Sequence, residues 1–352
     1  MDNMPLYLIG IGLGSRGYIT REALDAMSRS EKIYLDTYTS ILDDDLLQYL
    51  KENFSDKLIE ADRKLLEDEA SKIVEEARLR RISIAVPGDP LIATTHIAIL
   101  IEAAKRRISY RIIYGVSAYS ALISASGLQA YKFGRTTTIP RDGVGIETCY
   151  NIILENMERG LHTLVLLDTA GGGLEIPEAI KMLYKVEEKY GEGLISENRL
   201  IICLARIGFK DEFKWAGRIS DAIDLSYPPP PHTMIFPGSL HFSEADALRE
   251  IYGVDSRILE SHNPIRFWTM RLAKYISNVE HALKTLKILD ERREIDEVLN
   301  LSRSYLEDSI RFRERGRLFD SLAAISYSEG LLDSLRILRA VEFSWRRENS
   351  RE

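Results

Sequence analysis

Three clusters of small and polar residues in this chain of 352 residues have the types and spacing to do chemistry. The first, "GIGLGSRGYIT" (Gly10 to Thr20), sets Gly12, Gly14 and Gly17 at G-x-G-x-x-G spacing, with Asp36 at the end of the next apolar run. That pattern places a pyrophosphate on a helix N-terminus and a ribose on the carboxylate, so a nicotinamide- or flavin-dependent enzyme is one reading. In the dinucleotide motif, however, the glycines open the helix themselves. Here Thr20 has the chemistry of the N-cap, and the helix is expected to begin only at Arg21. The second cluster, "PGDPLIATTH" (Pro87 to His96), leaves the apolar run "ISIAV" through two prolines, a glycine and one carboxylate, Asp89. A plain turn would account for Pro-Gly-Asp-Pro. The third, "GVSAYSALISASGL" (Gly115 to Leu128), has small polar residues opening a helix, with Ser117 as the expected N-cap. All three follow strand-like runs, and strand ends of one parallel sheet converge on the edge where ligands sit.

Other reactive side chains are sparse. None of the six histidines belongs to an HExxH or similar pair, and no Ser/His/Asp order or Gly-x-Ser-x-Gly elbow is present. His232 stands apart because it follows Pro228 to Pro231 and starts a strand-like run; a turn histidine is the simpler reading. Asp168 ends "LVLLD" and is either a site carboxylate or the cap of the next turn. Cys149 and Cys203 have no metal-binding spacing and read as packed thiols, so neither a disulfide framework nor a metal is expected. No catalytic residue follows from spacing alone.

The elements that must position these residues are legible from periodicity. "LYLIGIG", "KIYLD", "ISIAV" and "YRIIY" read as strands, and Arg63 to Arg80 as a surface helix. Such alternation predicts a mostly parallel sheet covered by helices, an α/β fold. The periodicity breaks between Tyr131 and Pro140. Beyond it come a helix over Thr148 to Arg159, the strand "HTLVLLD", a glycine-rich loop, another helix, and three runs, "RLIICLARIG", "FKWAGRI" and "HTMIFPG". The last two runs lie too close for helical crossovers, so antiparallel neighbours and a mixed sheet are expected. Past Pro264 the character changes to helix, with three helices predicted over 266–289, 294–314 and 318–345 and "RERGR" as a hairpin. Leu318, Leu322, Ile325, Leu332 and Leu335 fall on one helix face. The expected domains are therefore 1–130, 131–260 and 264–352.

The bulk properties exclude several classes. A formal net charge of −7 lacks the basic footprint of a dedicated nucleic-acid binder. No apolar run approaches the roughly 20 residues of a membrane span, and the N-terminus lacks the form of a signal peptide, so a cytoplasmic protein is expected.

Taken together, "LYLIGIGLG", "TYTS" (Thr37 to Ser40), "PGDPLIATTH", "YKFG" (Tyr131 to Gly134), "ENMERGLHTLVLLD", "LARIG" (Leu204 to Gly208) and "PPHTMIFPGSLHFSEADAL" resemble the diphthine synthases, members of the tetrapyrrole methylase superfamily. "GDPLxATTH" with "YKFG" separates them from their relatives. The resemblance implies two α/β domains of the tetrapyrrole methylase type with a cofactor cleft between them, followed here by an all-α helical domain. It implies a homodimeric methyltransferase that uses S-adenosyl-L-methionine and releases S-adenosyl-L-homocysteine. The implied substrate is translation elongation factor 2, at a histidine bearing a 3-amino-3-carboxypropyl group whose amine becomes trimethylated. By motif, the cofactor contacts fall on Leu13, Asp89, Ile92, Ser117, Ala118, Leu167, Ile207 and His232. Water or His232 would take the proton.

Some positions depart from the family pattern. Asp36 replaces the usual glutamate, the segment after Asp168 is shortened to "TAGGGLEIPEA", and "DGVGIETCYN" lacks the usual aromatic and Pro-Thr-Ser residues; the last two segments are expected to face the protein substrate. The tail resembles an uncharacterised archaeal helical family, expected either to bind a partner or to pack on its host. Other readings are a tetrapyrrole methylase, the nicotinamide oxidoreductase, and a scaffold whose catalytic half has decayed.

Overall fold

Apolar runs of four or five residues, each followed by an amphipathic stretch, produce strands joined by helical crossovers. The computed structural model describes residues 6–262, 266–290 and 292–345, with side chains from 271 onward in the first tail helix. It divides into two compact units, 1–263 and 264–352.

The first unit begins with β1 (Leu6–Gly10), α1 (Arg21–Arg29), β2 (Lys32–Asp36), α2 (Asp44–Phe54), β3 (Leu58–Ala61), α3 (Ala70–Glu76), β4 (Ile82–Val86), α4 (Ile97–Lys105), β5 (Tyr110–Ile113) and α5 (Ala118–Ala125). The strands form one parallel sheet in the order β3-β2-β4-β1-β5. Alternate side chains of its strands pack on α3 and α4 (Leu6, Leu8, Ile82 and Ile84 against Ile73, Val74 and Ile99) and on α1 and α2 (Ile9, Ile33 and Leu35 against Met27, Leu46 and Leu50). Thr20 caps α1 by accepting the Ala23 N–H, so the helix begins at Arg21 as its sequence predicts. Two local features differ from expectation. β3 is an edge strand with a half-exposed, weakly alternating sequence. The single helix expected over Arg63 to Arg80 is a π-type turn at Lys64–Asp68 followed by the shorter α3.

A second sheet follows: β6 (Thr137–Ile139), α6 (Ile146–Glu158), β7 (Thr163–Leu167), α7 (Ile176–Tyr190), β8 (Leu200–Ala205), β9 (Phe213–Arg218), α8 (Ile219–Ile223), β10 (His232–Phe236), α9 (Phe242–Glu250) and α10 (Ser256–Ser261). Its order is β6-β7-β10-β8-β9; β6 and β7 are parallel and the other pairs antiparallel, a mixed sheet. The last two apolar runs are not neighbours, however. β8 lies between them and pairs antiparallel with both. α6, α7 and α8 cover one face, while α5, α9 and α10 cover the other with Leu122, Ile123, Leu248 and Leu259. Thus α5 starts at the edge of the first sheet and buries its apolar side on the second. Cys149 and Cys203 are buried free thiols.

A buried ionic clasp fixes the passage from α5 into the second sheet. Glu244, 1% exposed, accepts from the Gln129 N–H at 2.8 Å, the His241 N–H at 2.7 Å and His162 Nε2 at 2.9 Å, and is paired with Lys132. His162 Nδ1 accepts the Gly238 N–H at 2.9 Å, which leaves the ring proton on Nε2 facing Glu244. "YKFG" therefore has a structural role through Lys132, and His241 and Glu244 form the capping box of α9.

The second unit comprises α11 (Arg266–Thr285), β11 (Lys287–Ile288), α12 (Arg293–Glu314), α13 (Leu318–Ile337) and β12 (Val341–Glu342). Three helices and the hairpin at Gly316 are present as expected, and Ile325, Leu332 and Leu335 enter their common core, but the first helix ends at Thr285 instead of residue 289, because Lys287–Ile288 is drawn into a strand. The third helix stops at Ile337 instead of reaching residue 345, because the chain reverses through Arg339 and β12 pairs antiparallel with β11. A two-residue strand carries no periodicity to read. Fully buried serines let α12 and α13 approach closely: Ser302 and Ser328 hydroxyls lie 2.9 Å apart, and those of Ser309 and Ser321 3.0 Å. Pro264, the expected boundary marker, lies outside the described residues.

The clasp sets a pH dependence. Burial alone would raise the Glu244 pKa, but Lys132 and the two backbone donors outweigh it and pull the carboxyl from 4.5 down to about 2. Its stabilising contribution is therefore complete above about pH 4.5 and is lost as pH falls towards 2. Glu244→Gln should cost about 3 kcal/mol near neutral pH and flatten this part of the profile, as checked by urea unfolding across the acid range.

Candidate functional site

The carboxyl ends of the adjacent strands β4, β1 and β5 carry the three clusters, and glycine allows their backbones to touch. Ile11 donates to the Val86 carbonyl at 2.9 Å, and Gly12 and Gly88 exchange hydrogen bonds at 3.2 and 2.6 Å. A Cβ on Gly10 would lie 2.6 Å from both Gly115 N and Gly88 O, and one on Gly115 only 2.1 Å from Gly88 O. These neighbours are backbone atoms and cannot rotate away. Glycine thus serves the mutual contact of three loops.

Beside this junction is a cavity of about 260 Å³ reached by both sheets of the first unit. From the first sheet come Leu13 of the glycine loop, Asp89 and Ile92 after β4, and Ser117 and Ala118 at the start of α5. From the second come Leu167 at the end of β7, Ile207 just after β8 and His232 at the start of β10. The antiparallel pairing of β10 with β7 and β8 explains their meeting, since β10 begins where the other two end. All eight residues singled out in the sequence line this one cavity. Thr39, Thr138, Thr169, Arg206 and Phe209 also line it without having been singled out. "TYTS" was a visible signal for Thr39. Phe209 had none, because its ring enters by packing on Gly14, where a Cβ would come within 2.1 Å of it.

The polar groups have definite tasks. Asp89 accepts the Leu91 N–H at 3.0 Å and the Gly115 N–H at 3.4 Å, and so ties its own turn to the next loop. Ser117 caps α5 by accepting the Tyr119 N–H at 3.2 Å, and the first amides of that helix have no intrahelical carbonyl to bond. Asp168 accepts the Ala170 N–H at 2.9 Å and the Arg141 N–H at 3.2 Å, which makes it a turn cap that also lines the cavity. Arg206 is paired with Asp211 at 2.7 Å.

Two expectations change here. His232 is 2% exposed, with Nε2 donating to the Pro228 carbonyl at 2.7 Å and Nδ1 accepting the Ile176 N–H at 3.3 Å. Burial holds its pKa below the usual value. With both nitrogens engaged, the ring has no lone pair for a substrate proton, and the role of proton acceptor suggested for it is withdrawn. Asp36, the presumed ribose ligand of a dinucleotide motif, is fully buried and accepts from His96 Nε2 at 2.8 Å, from the Tyr38 and Thr39 amides at 2.9 and 3.0 Å and from the Thr39 hydroxyl. Burial would raise its pKa, but these donors prevail and hold the carboxyl below the usual value. It joins the "DTYTS" and "PGDPLIATTH" loops and has no contact to spare for a ribose.

The model of the tetrapyrrole (corrin/porphyrin) methylases matches residues 5–223. Diphthine synthase of Staphylothermus marinus is 40% identical over 269 residues, which are 73% of this chain and 97% of that protein. The chain belongs to the diphthine synthase family. The family's enzyme from Methanocaldococcus jannaschii is 39% identical over 251 residues, covering 69% of this chain and 97% of the relative. A crystal structure of a diphthine synthase superposes with a TM-score of 0.65 at 27% identity, over 72% of this chain and 98% of the other. Diphthine synthase relatives thus end well short of this chain's length, and residues 274–341 match a separate family described only as a protein of unknown function, DUF357. Membership makes the chain a methyltransferase and gives no support to a dinucleotide-binding reading.

The loop junction can be tested directly. Gly115→Ala should lower the unfolding free energy by about 2 kcal/mol or more, because the Gly88 carbonyl must move aside. Thermal unfolding of the full chain measures this; a Tm equal to that of the native sequence would refute the junction.

Proposed function

We propose that the chain is an S-adenosyl-L-methionine-dependent diphthine synthase that methylates the amine of 3-amino-3-carboxypropyl-histidine in translation elongation factor 2 until it is trimethylated. The observation that carries this reading is the assembly, in one cavity, of all eight residues implied by the family resemblance. The donor set suits such a cofactor. Leu13, Ile92, Leu167, Ile207 and Phe209 provide apolar walls for an adenine ring. The start of α5, whose first amides have no intrahelical acceptor, suits a carboxylate, and the carbonyls of the closely packed loops suit an ammonium. S-adenosyl-L-methionine supplies a methyl group on a sulfonium, ready for in-line displacement by an amine.

The protein's own part is to bind, orient and exclude water. Leu13, Asp89, Ile92, Ser117, Ala118, Leu167, Ile207 and His232 hold the cofactor, several through backbone groups. Asp89 contributes shape by holding the Leu91 and Gly115 amides. A free α-amino group has a pKa of about 8, so only modest desolvation is needed to keep the acceptor neutral. With the His232 nitrogens engaged, the proton leaves to water. Residues 1–130 and 131–260 act as the two lobes of the cleft, and 264–352 as an added helical module. Homodimerisation is supported by exposed Ile97 and Ile101, one turn apart on α4, and by Tyr110, Tyr114 and Val116 along the unpaired edge strand β5 and its continuation. Among the described residues no helix is long and apolar enough to cross a membrane, in keeping with cytoplasmic work on a translation factor.

Incubation with labelled S-adenosyl-L-methionine and archaeal elongation factor 2 carrying the aminocarboxypropyl-histidine should label that histidine. Lack of label, alongside a competent control enzyme, would reject the assignment.

A further inference from the structure

A second, larger groove opens from the cavity. Its volume is about 970 Å³, more than a single side chain occupies, and its walls carry Thr37, Tyr38, Glu67, Thr94, Thr95 and Gly172. It shares six residues with the cavity: Thr39, Ser40, Ile41, Ala93, Asp168 and Thr169. They form the neck between the two spaces. Asp168 is the only charged residue among them.

The neck is held rigidly. The Thr169 hydroxyl donates to the Thr39 carbonyl at 3.3 Å, which joins the segment after β7 to the "TYTS" loop. Arg141 donates to the Ala170 carbonyl at 3.1 Å and also bonds Gly171. Ala93 has a φ of +58°, a left-handed conformation uncommon outside glycine, which indicates that the surrounding loop imposes its shape. On the groove side, Glu67 is already occupied by Arg63 at 2.9 Å, Thr95 at 2.9 Å and Tyr38 at 3.2 Å. Asp168 differs. Each of its oxygens accepts one backbone N–H, and a carboxylate oxygen can accept two.

From this geometry, and resting on the methyltransferase reading above, we infer that the groove receives the loop of the protein acceptor and that Asp168 holds the acceptor's amino group at the neck. Every transfer to an amine leaves a cation: the nitrogen gains a methyl, the sulfonium becomes a neutral thioether, and one proton must depart to water before the next round. An anionic oxygen at the neck retains the cationic intermediate while the spent cofactor is replaced from the cavity side. The Thr39 and Thr169 region supplies polar surface for the adjoining carboxypropyl group. Asp168 is thus assigned as a substrate-contacting residue that keeps partly methylated acceptor in place. The full-length native chain and Asp168→Asn would be compared, with Asp168→Glu as the conservative variant.

With protein acceptor and S-adenosyl-L-methionine, Asp168→Asn should raise the acceptor KM roughly 10- to 100-fold, the range of one charge-assisted hydrogen bond. S-adenosyl-L-methionine affinity by calorimetry should stay within about threefold and Tm should be little changed, a pairing that distinguishes substrate contact from loop collapse. Mass spectrometry should show mono- and dimethylated acceptor released by the variant, with Asp168→Glu partly restoring the trimethylated product. The native enzyme's acceptor KM should also rise with salt more steeply than the variant's. An unchanged KM and product distribution in Asp168→Asn, with native transfer intact, would overturn this inference alone. Equal loss of cofactor binding would overturn it too, by making Asp168 part of the cavity's frame. Absence of transfer by the native chain would reject both this inference and the reading on which it rests.

Discussion

Contact between three backbones at Gly10, Gly88 and Gly115 is the constraint on which the site depends. Strand order makes it possible, because β1 lies between β4 and β5 and their exits are adjacent. Glycine makes it close, since a side chain at Gly115 would strike the Gly88 carbonyl. Asp89 then bridges two of the loops by accepting amides from both. The result is a floor made of peptide groups. Such a floor offers fixed dipoles that need no reorganisation when a ligand arrives.

The second sheet closes the cavity by a different route. α5 leaves the glycine junction and buries Leu122 and Ile123 on that sheet, and the Glu244 clasp holds the segment that follows. Because β10 is antiparallel to β7 and β8, its first residues come beside their last. Leu167, Ile207 and His232 meet there although 65 residues separate the first from the last. Phe209 packing on Gly14 joins the loops of the two sheets. Buried polar groups in this region mainly fix shape: His232 is spent on two backbone partners, and Asp36 with His96 ties two loops. The protein therefore has little strong base near the cavity, which suits displacement at a sulfonium by an amine close to neutral already.

The helical unit obeys simpler rules. A leucine and isoleucine face builds its core, and paired buried serines satisfy one another's hydroxyls between α12 and α13. Small side chains there let the helices approach, while the reciprocal bonds avoid the penalty of unpaired polar groups. Its late reversal into a two-residue pairing with β11 left no trace in the pattern of the sequence.

By itself the sequence determined the α/β alternation, the N-caps at Thr20 and Ser117, the helical tail and, through motif resemblance, the eight residues that meet in the cavity. These are local matters of periodicity, capping and residue type. Tertiary structure alone decided that β8 intervenes between β9 and β10, that Asp36 and His232 are consumed by internal partners, and that Asp168 stands between two spaces. The physical reason is range. A hydrogen bond to a distant backbone group or a packed ring depends on which strands become neighbours, and no spacing along one chain records that choice.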